Sequence, residues 1–326
     1  MIISQTPLRM SFVGGGSDLP SFYRKHGGAV VSTAIDKFVY VSVNRKFDQS
    51  IRVSYSKTEE VGSVDLIEHR LVREALRMSE ISGGIEITSV ADIPSRGTGM
   101  GSSSSFAAGL LHALHAYRGE YASPERLAEE SCSLEIDICQ GLIGKQDQYA
   151  AAYGGFNFIE FHKDDSVSVH PIICDREMFA ELERCLMMFY TGVTRPASTI
   201  LDAQSAAMED DATKQDGMRS MVKLAHQLRD ELHHNRLESF GELLHENWEL
   251  KKKLAQGISN TEIEQWYECA RTRGALGGKL LGAGAGGFLV FFVPPHRQNA
   301  VREALGLRQI PFEFERRGSR IILFQQ

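Results

Sequence analysis

The chain is poor in cysteine and has no long apolar run, and each absence removes a class of protein. Its 326 residues hold five cysteines, Cys132, Cys139, Cys174, Cys185 and Cys269, an odd number with no C-x-x-C pair. This argues against a disulfide framework or a thiolate zinc site and reads as reduced thiols. No apolar run is long enough to span a bilayer, and the N-terminus lacks the charged-then-apolar pattern of a signal peptide. The expected location is the cytoplasm, with no membrane partner. Positive charge is not in surplus: the formal net charge is −6, which gives no footprint for nucleic acid. No internal repeat or low-complexity tract is present. A Walker A signature is missing too, since Gly144-Lys145 is followed by Gln146 and Gly278-Lys279 by Leu280. What remains is ordinary globular composition, 42% apolar and 24% charged, at a length that admits two domains.

Glycine is concentrated where chemistry would need it. Ile93 to Phe106 reads I-P-S-R-G-T-G-M-G-S-S-S-S-F, with Gly97, Gly99 and Gly101 at alternate positions and then Ser102 to Ser105. Ile85 and Ile87 mark a strand before it. Phe106, Leu110, Ala113, Leu114 and Tyr117 recur at helical spacing after it. Between a strand and a helix, such a loop lets a phosphate approach backbone N–H groups at a positive helix end. The serine hydroxyls are placed to cap the helix or reach a metal ion. A solvated turn with a serine cap is the plain alternative.

The remaining elements follow from periodicity. Leu8, Met10 and Phe12 alternate with Arg9, Ser11 and Val13 in a strand that ends in Gly14-Gly15-Gly16. Asp18, after Ser17, is read from local pattern as the cap of the helix suggested by Leu19, Phe22 and Tyr23. Strands are expected over 29–43, 51–55, 154–161 and 185–190, with a polar segment over 56–63. Ser123-Pro124 opens a helix whose buried stripe is Leu127, Ser131, Leu134 and Ile138. Glu135 borders that stripe, where a carboxylate is either a solvated flank residue, the reading preferred from local pattern, or one aimed into a cleft. Asp147 lies near another helix start, where the dipole favours an acid. Helices are expected over 197–208, 218–235, 237–254, 260–273 and 296–305. Mixed strands and helices without a regular βαβ beat predict an α+β fold, with domains over 1–168 and 169–326.

Gly282, Gly284 and Gly287 match G-x-G-x-x-G, but the pattern predicts a helix before them and a strand after them. The dinucleotide fingerprint needs the reverse, so hydride transfer on a Rossmann fold is not expected.

Three glycine-rich stretches, at 14–16, 97–101 and 282–287, occur in an order that resembles the GHMP kinase superfamily. Pro94-S-R-G-T-G-M-G-S-S-S-Ser105 is similar to its central P-x-x-x-G-L-G-S-S-A-A motif, with Met100 for leucine and Ser104-Ser105 for two alanines. Pro7-L-R-M-S-F-V-G-G-G-S-Asp18 resembles its N-terminal segment, and 282–287 its C-terminal motif. Gly15-Gly16-Ser17-Asp18 stands where galactokinases have G-E-H-T-D, and it resembles the D-glycero-D-manno-heptose 7-phosphate kinases of the superfamily. So do Gly144-K-Q-D-Gln148 and Tyr190-T-G-V-T-Arg195.

The resemblance implies a two-domain α+β kinase with its active site in the cleft between the domains, using ATP and Mg²⁺ on a small sugar phosphate. Homo-oligomers are possible. It implies that Asp147 is catalytic with Arg9 beside it, and that Gly97, Gly99, Gly101, Ser102, Ser103 and Ser104 hold ATP. Ser103 and Glu135 match the metal ligands. Asp18, with Gly15, Gly16 and Ser17, matches the sugar site. Arg195, with Arg24 and Lys25 behind it, is the candidate for a substrate phosphate. The implied reaction makes a heptose 1,7-bisphosphate for nucleotide-activated heptose in a surface glycan. Another sugar, such as fucose, or a non-catalytic nucleotide and sugar sensor on this fold are the alternatives.

Overall fold

The computed structural model describes residues 1–94, 98–193, 211–284 and 286–325. Its long central pair is β1 (Ile2–Val13) and β2 (Gly28–Arg45), antiparallel from Ile2 opposite Val43 to Val13 opposite Val31, with α1 (Pro20–His26) between them. Next come β3 (Ile51–Ser54), β4 (Thr58–Val61), α2 (Arg70–Met78) and β5 (Ile85–Ala91). They extend the sheet in the order β1-β2-β5-β3-β4, with β3 parallel to β5. Then follow α3 (Ser102–Arg118), α4 (Pro124–Cys132), α5 (Gln146–Tyr153), β6 (Phe156–Phe161) and β7 (Val167–Pro171). Ser123 caps α4 through Arg126 N, 3.2 Å away. The β2 strand is long enough to serve two partners, β6 along its first part and β5 along its last. Helix α3 lays Ala107, Leu110, Leu111 and Leu114 on β1 and β2, and these residues form one continuous core with Leu8, Met10 and Val41.

A second sheet follows α6 (Arg176–Cys185) and β8 (Leu186–Tyr190). Helices α7 (Ala212–His233), α8 (Phe240–Lys252) and α9 (Thr261–Thr272) precede β9 (Gly277–Leu280) and β10 (Phe288–Phe292). After α10 (Gln298–Leu305) the short β11 (Arg308–Gln309) completes the order β11-β8-β10-β9. Trp248, Tyr267, Phe189 and Phe291 form its own core. Helix α8 packs on both β9 and β1 and so joins the two sheets. The last strands, β12 (Phe314–Glu315) and β13 (Arg320–Phe324), leave this unit and pair with β2 and β1 of the large sheet. The boundary expected at residue 168 falls inside β7.

Three local expectations change. The polar 56–63 segment contains β4, because Glu59 turns inward and accepts bonds from Tyr55 Oη, Glu68 N and His69 N at 2.7, 2.6 and 3.2 Å. Helix α6 was not expected, since only Met178, Leu182 and Cys185 carry its buried stripe. The glycines at 282–287 join β9 to β10, so a strand and not a helix precedes them. A strand also follows, which still excludes the dinucleotide fingerprint. The helix expected over 197–208 lies outside the described residues.

That β9–β10 turn buttresses the earlier glycine loop. Gly99 and Gly282 both take left-handed conformations, φ 73° and 78°. A Cβ on Gly282 would lie 2.3 Å from the Gly99 Cα. Gly282→Ala is expected to cost about 1–3 kcal/mol, from left-handed strain and overpacking. Urea unfolding reads this as a lower midpoint, and an unchanged midpoint would contradict the close approach.

Candidate active site

The glycine loop delivers the chain to α3 with Gly101 at the N-cap, φ 74° and no side-chain cap bond. The serine cap of the plain alternative is therefore absent. Ser105 Oγ donates to the Pro7 carbonyl at 2.8 Å, and Ser102 Oγ lies 3.5 Å from Thr98 Oγ1. The uncapped N–H groups of a 17-residue helix are left facing a cleft.

Two cavities meet at this helix end. One, about 540 Å³, is walled by Val39, Tyr55, His69, Leu71, Ile93 and Phe106, with Ser102 and Ser103 at one side. The other, about 210 Å³, also includes Ser102 and Ser103 and adds Arg9, Asp18, Asp147, Lys251 and Gly282. The shared serines are the junction.

The second cavity is built around an ion pair. Arg9, inward on β1, grips Asp147 at the start of α5 with Nε to Oδ1 at 2.7 Å and Nη2 to Oδ2 at 2.8 Å. Its Nη1 donates to the Gly99 carbonyl at 2.5 Å. The Arg9 side chain is 4% exposed and that of Asp147 25%, so the carboxylate keeps an open side. Such a bidentate fork fixes both position and orientation.

Asp18 corrects the capping expectation. Helix α1 has Leu19 at its N-cap with no side-chain bond. Asp18 instead accepts from Gly16 N at 2.9 Å and from Gln146 N at 3.2 Å, so it caps α5, the helix that carries Asp147. Burial, then repulsion from Asp147, raises its pKa above the usual aspartate value.

Glu135 is no flank residue. It is 4% exposed on a π-helical turn (Ser133–Ile138) that continues α4, a local widening that re-aims side chains. Its Oε1 accepts from Ser103 Oγ at 2.6 Å and its Oε2 from Gln148 Nε2 at 2.8 Å. Burial raises its pKa. The Ser103 and Glu135 oxygens are hard donors beside an uncapped helix start, a set that fits Mg²⁺ sharing further oxygens from phosphate and water. Among the described residues no group of three or more His, Cys, Asp or Glu is clustered for a metal, so the set also fits no all-protein cage.

Of the remaining expected residues, Gly16, Gly99, Gly101 and Ser104 line the second cavity. Ser17 does not. It is fully buried, with its hydroxyl 3.1 Å from the Ala29 carbonyl and 3.0 Å from Ala29 N, and so it is a turn residue. Gly15 is likewise absent from the lining and faces Ser11 and Gln146. Gly97 and Arg195 lie outside the described residues. Arg24 pairs with Asp165 at 2.9 Å on the exposed face of α1. Lys251, which the sequence did not single out, lines the cleft from α8 at 4% exposure.

Family models match two stretches of the chain: GHMP kinases N terminal domain over residues 66–155, which holds Ser103, Glu135 and Asp147, and GHMP kinases C terminal over 228–309, which holds Lys251. The chain belongs to the GHMP kinases. It is a phosphotransferase, a sugar kinase by its likeness within the family. A D-glycero-alpha-D-manno-heptose 7-phosphate kinase of Campylobacter jejuni is 29% identical over 324 residues, 94% of each chain. A solved D-glycero-D-manno-heptose 1-phosphate kinase from Bacteroides thetaiotaomicron superposes with TM-score 0.81 at 25% identity, covering 100% of both chains. Lactococcus lactis galactokinase, at 17% identity, TM-score 0.78 and coverage of 98% and 94%, shares the GHMP fold. Among the described residues no helix is long and apolar enough to cross a membrane.

In this GHMP kinase the buried Glu135 favours the protonated acid, so its contribution to stability is lost as pH rises through the raised pKa. Glu135→Gln, which is nearly isosteric, is expected to raise metal-free stability at pH 8 by about 1 kcal/mol, with a smaller gain at pH 5. The same change is expected to lower turnover at limiting Mg²⁺ by about 10–100-fold. Thermal melts and a Mg²⁺ titration check both. A melt at pH 8 no higher than wild type would contradict the electrostatic reading.

Proposed function

We propose that this sugar kinase transfers the γ-phosphoryl group of ATP to the anomeric (C1) hydroxyl of D-glycero-α-D-manno-heptose 7-phosphate, giving the 1,7-bisphosphate and ADP. The observation that carries the phosphoryl transfer is the meeting of two cavities at one uncapped helix start, with the Arg9–Asp147 fork on the far side. The larger cavity has the aromatic and aliphatic walls a nucleoside needs: the His69 ring touches those of Tyr55 and Phe106, with centroids 4.7 and 5.5 Å apart. The smaller one takes the acceptor. The heptose relatives support the sugar, and the chain retains Asp18 as a partner for its hydroxyls.

The chemistry follows from the groups present. Transfer needs positioning and charge stabilisation more than covalent help. The α3 N–H groups, backed by the loop at Gly99 and Gly101, receive phosphate oxygens without reorganising. Asp147, aimed by Arg9, accepts a hydrogen bond from the attacking hydroxyl and takes its proton as the new P–O bond forms. Mg²⁺ held by Ser103 and Glu135 would supply neutralising charge on the phosphates. Arg195 remains the candidate for the 7-phosphate. The product would serve nucleotide-activated heptose for a surface glycan, made in the cytoplasm.

A second acceptor class has specific support. Fucokinase relatives, such as the bifunctional Arabidopsis thaliana enzyme, are 27% identical over 87% of this chain, although the chain spans only 29% of that protein. Phosphorus-31 NMR with Mg-ATP and heptose 7-phosphate, heptose 1-phosphate, free heptose and fucose separates the readings. A new anomeric phosphate signal with the 7-phosphate alone is expected. A new non-anomeric phosphate signal with the 1-phosphate, or an anomeric signal only with fucose, would overturn the acceptor, and no ADP release with any sugar would favour a sensor. Asp147→Asn is expected to lower kcat by about 10²–10⁴-fold with nucleotide binding retained. Wild-type turnover would remove its role.

A further inference from the structure

Lys251 is a buried cation of the cleft that grips no carboxylate among the described residues. It projects from the last turn of α8 into the cavity that holds Arg9, Asp18 and Asp147. Its one polar contact among the described residues is the neutral carbonyl of Gly282, 2.8 Å from Nζ. Asp18 and Asp147 line the same cavity but neither is in ion-pair contact with Lys251, and burying an ammonium so is costly, which leaves its remaining donors for an arriving anion. Lys279, the neighbouring buried lysine, differs. Its Nζ donates to the Phe12 carbonyl at 3.0 Å and it lines neither the nucleoside nor the acceptor cavity, so it is a strut.

The position selects the anion. Lys251 lines the acceptor cavity but not the nucleoside cavity, and it shares that lining with Ser102 and Ser103 at the α3 start. Gly282, which receives its bond, packs on Gly99 of the phosphate loop. The ammonium and the helix N-terminus therefore form two walls of the space a phosphoryl group crosses. Arg9 is already committed to Asp147 through both oxygens, which leaves Lys251 as the cation available to phosphate oxygens among the described residues of the cleft.

We propose that Lys251 is a further catalytic residue, whose ammonium donates hydrogen bonds to the oxygens of the phosphoryl group as it passes from nucleotide to acceptor. The inference rests on the phosphotransferase reading but not on the identity of the sugar. In the step, the acceptor oxygen bonds to the γ-phosphorus and the bond from phosphorus to the β,γ-bridging oxygen breaks. The electron pair leaves with ADP, and the hydroxyl proton goes to Asp147. Lys251 keeps its own proton throughout. Burial lowers its pKa to about 8, with Asp18 and Asp147 raising it and Arg9 lowering it. Lys279 also faces it, its own pKa pushed down by burial and by Lys251. A bound phosphate would hold Lys251 protonated.

Calorimetry with Mg²⁺ and no acceptor tests this directly. Lys251→Met is expected to weaken a non-hydrolysable ATP analogue by about 10–100-fold, the value of a charge-assisted hydrogen bond. ADP affinity should stay within about twofold of wild type. Equal loss for both nucleotides, or no loss for either, would overturn the proposal. Failure of wild-type protein to bind either nucleotide would overturn the kinase reading instead. A pH profile guards against a folding defect in the methionine variant. Wild-type kcat/KM for the nucleotide should fall above pH about 8 as free Lys251 deprotonates. Lys251→Arg, charged throughout, should lack that limb, and its persistence would count against the assignment.

Discussion

The bidentate grip of Arg9 on Asp147 ties together three parts of the chain that have no local reason to meet. Arg9 is fixed by β1 opposite Ala34 of β2, Asp147 by the first turn of α5, and the same guanidinium reaches the Gly99 carbonyl in the glycine loop. The Arg9 backbone N–H also donates to the Met100 carbonyl at 3.1 Å, so the strand holds the loop as well. Asp18 extends the arrangement by capping α5 from the other glycine turn. A shift in any one of these elements displaces the carboxylate from the helix end across the cleft.

Around that pair the site concentrates buried charge. Asp18, Glu135 and Lys251 are each at least 95% removed from solvent, and each has its pKa pushed toward the neutral form by burial. A fold selected for stability alone would not bury them without an ion-pair partner. Each is the residue type a phosphate, a magnesium ion or a sugar hydroxyl would complete. Under the proposed function, the stability withheld from the free protein becomes binding energy when those ligands arrive.

Much of this was legible in the sequence, because glycine and serine at close spacing carry local conformational meaning. The strand–loop–helix order around 97–105 and the Ser123 cap of α4 followed from residue type and period. Asp18 and Glu135 did not. Both were read from their immediate neighbours, as a cap for α1 and a solvated flank, whereas their partners, Gln146 and Gln148, lie 128 and 13 residues away. A π-helical turn shifts the face on which Glu135 lies, and 3.6-residue periodicity cannot register it. Lys251 was hidden for a similar reason. In Leu250-Lys251-Lys252-Lys253 it reads as one of three solvated charges, and only the docking of α8 against β1 and β9 turns it inward. Nothing in the sequence of the last strands reports that β1 and β2 are their partners.

A structure of the protein with a non-hydrolysable ATP analogue and Mg²⁺ tests the central claim most directly, that phosphoryl transfer occurs where the two cavities meet. The account predicts the base between Tyr55, His69 and Phe106, the β- and γ-phosphates on the α3 N–H groups, and the γ-phosphorus facing the open side of Asp147. A nucleoside seated in the Asp18–Lys251 cavity, or phosphates directed away from the start of α3, would contradict it.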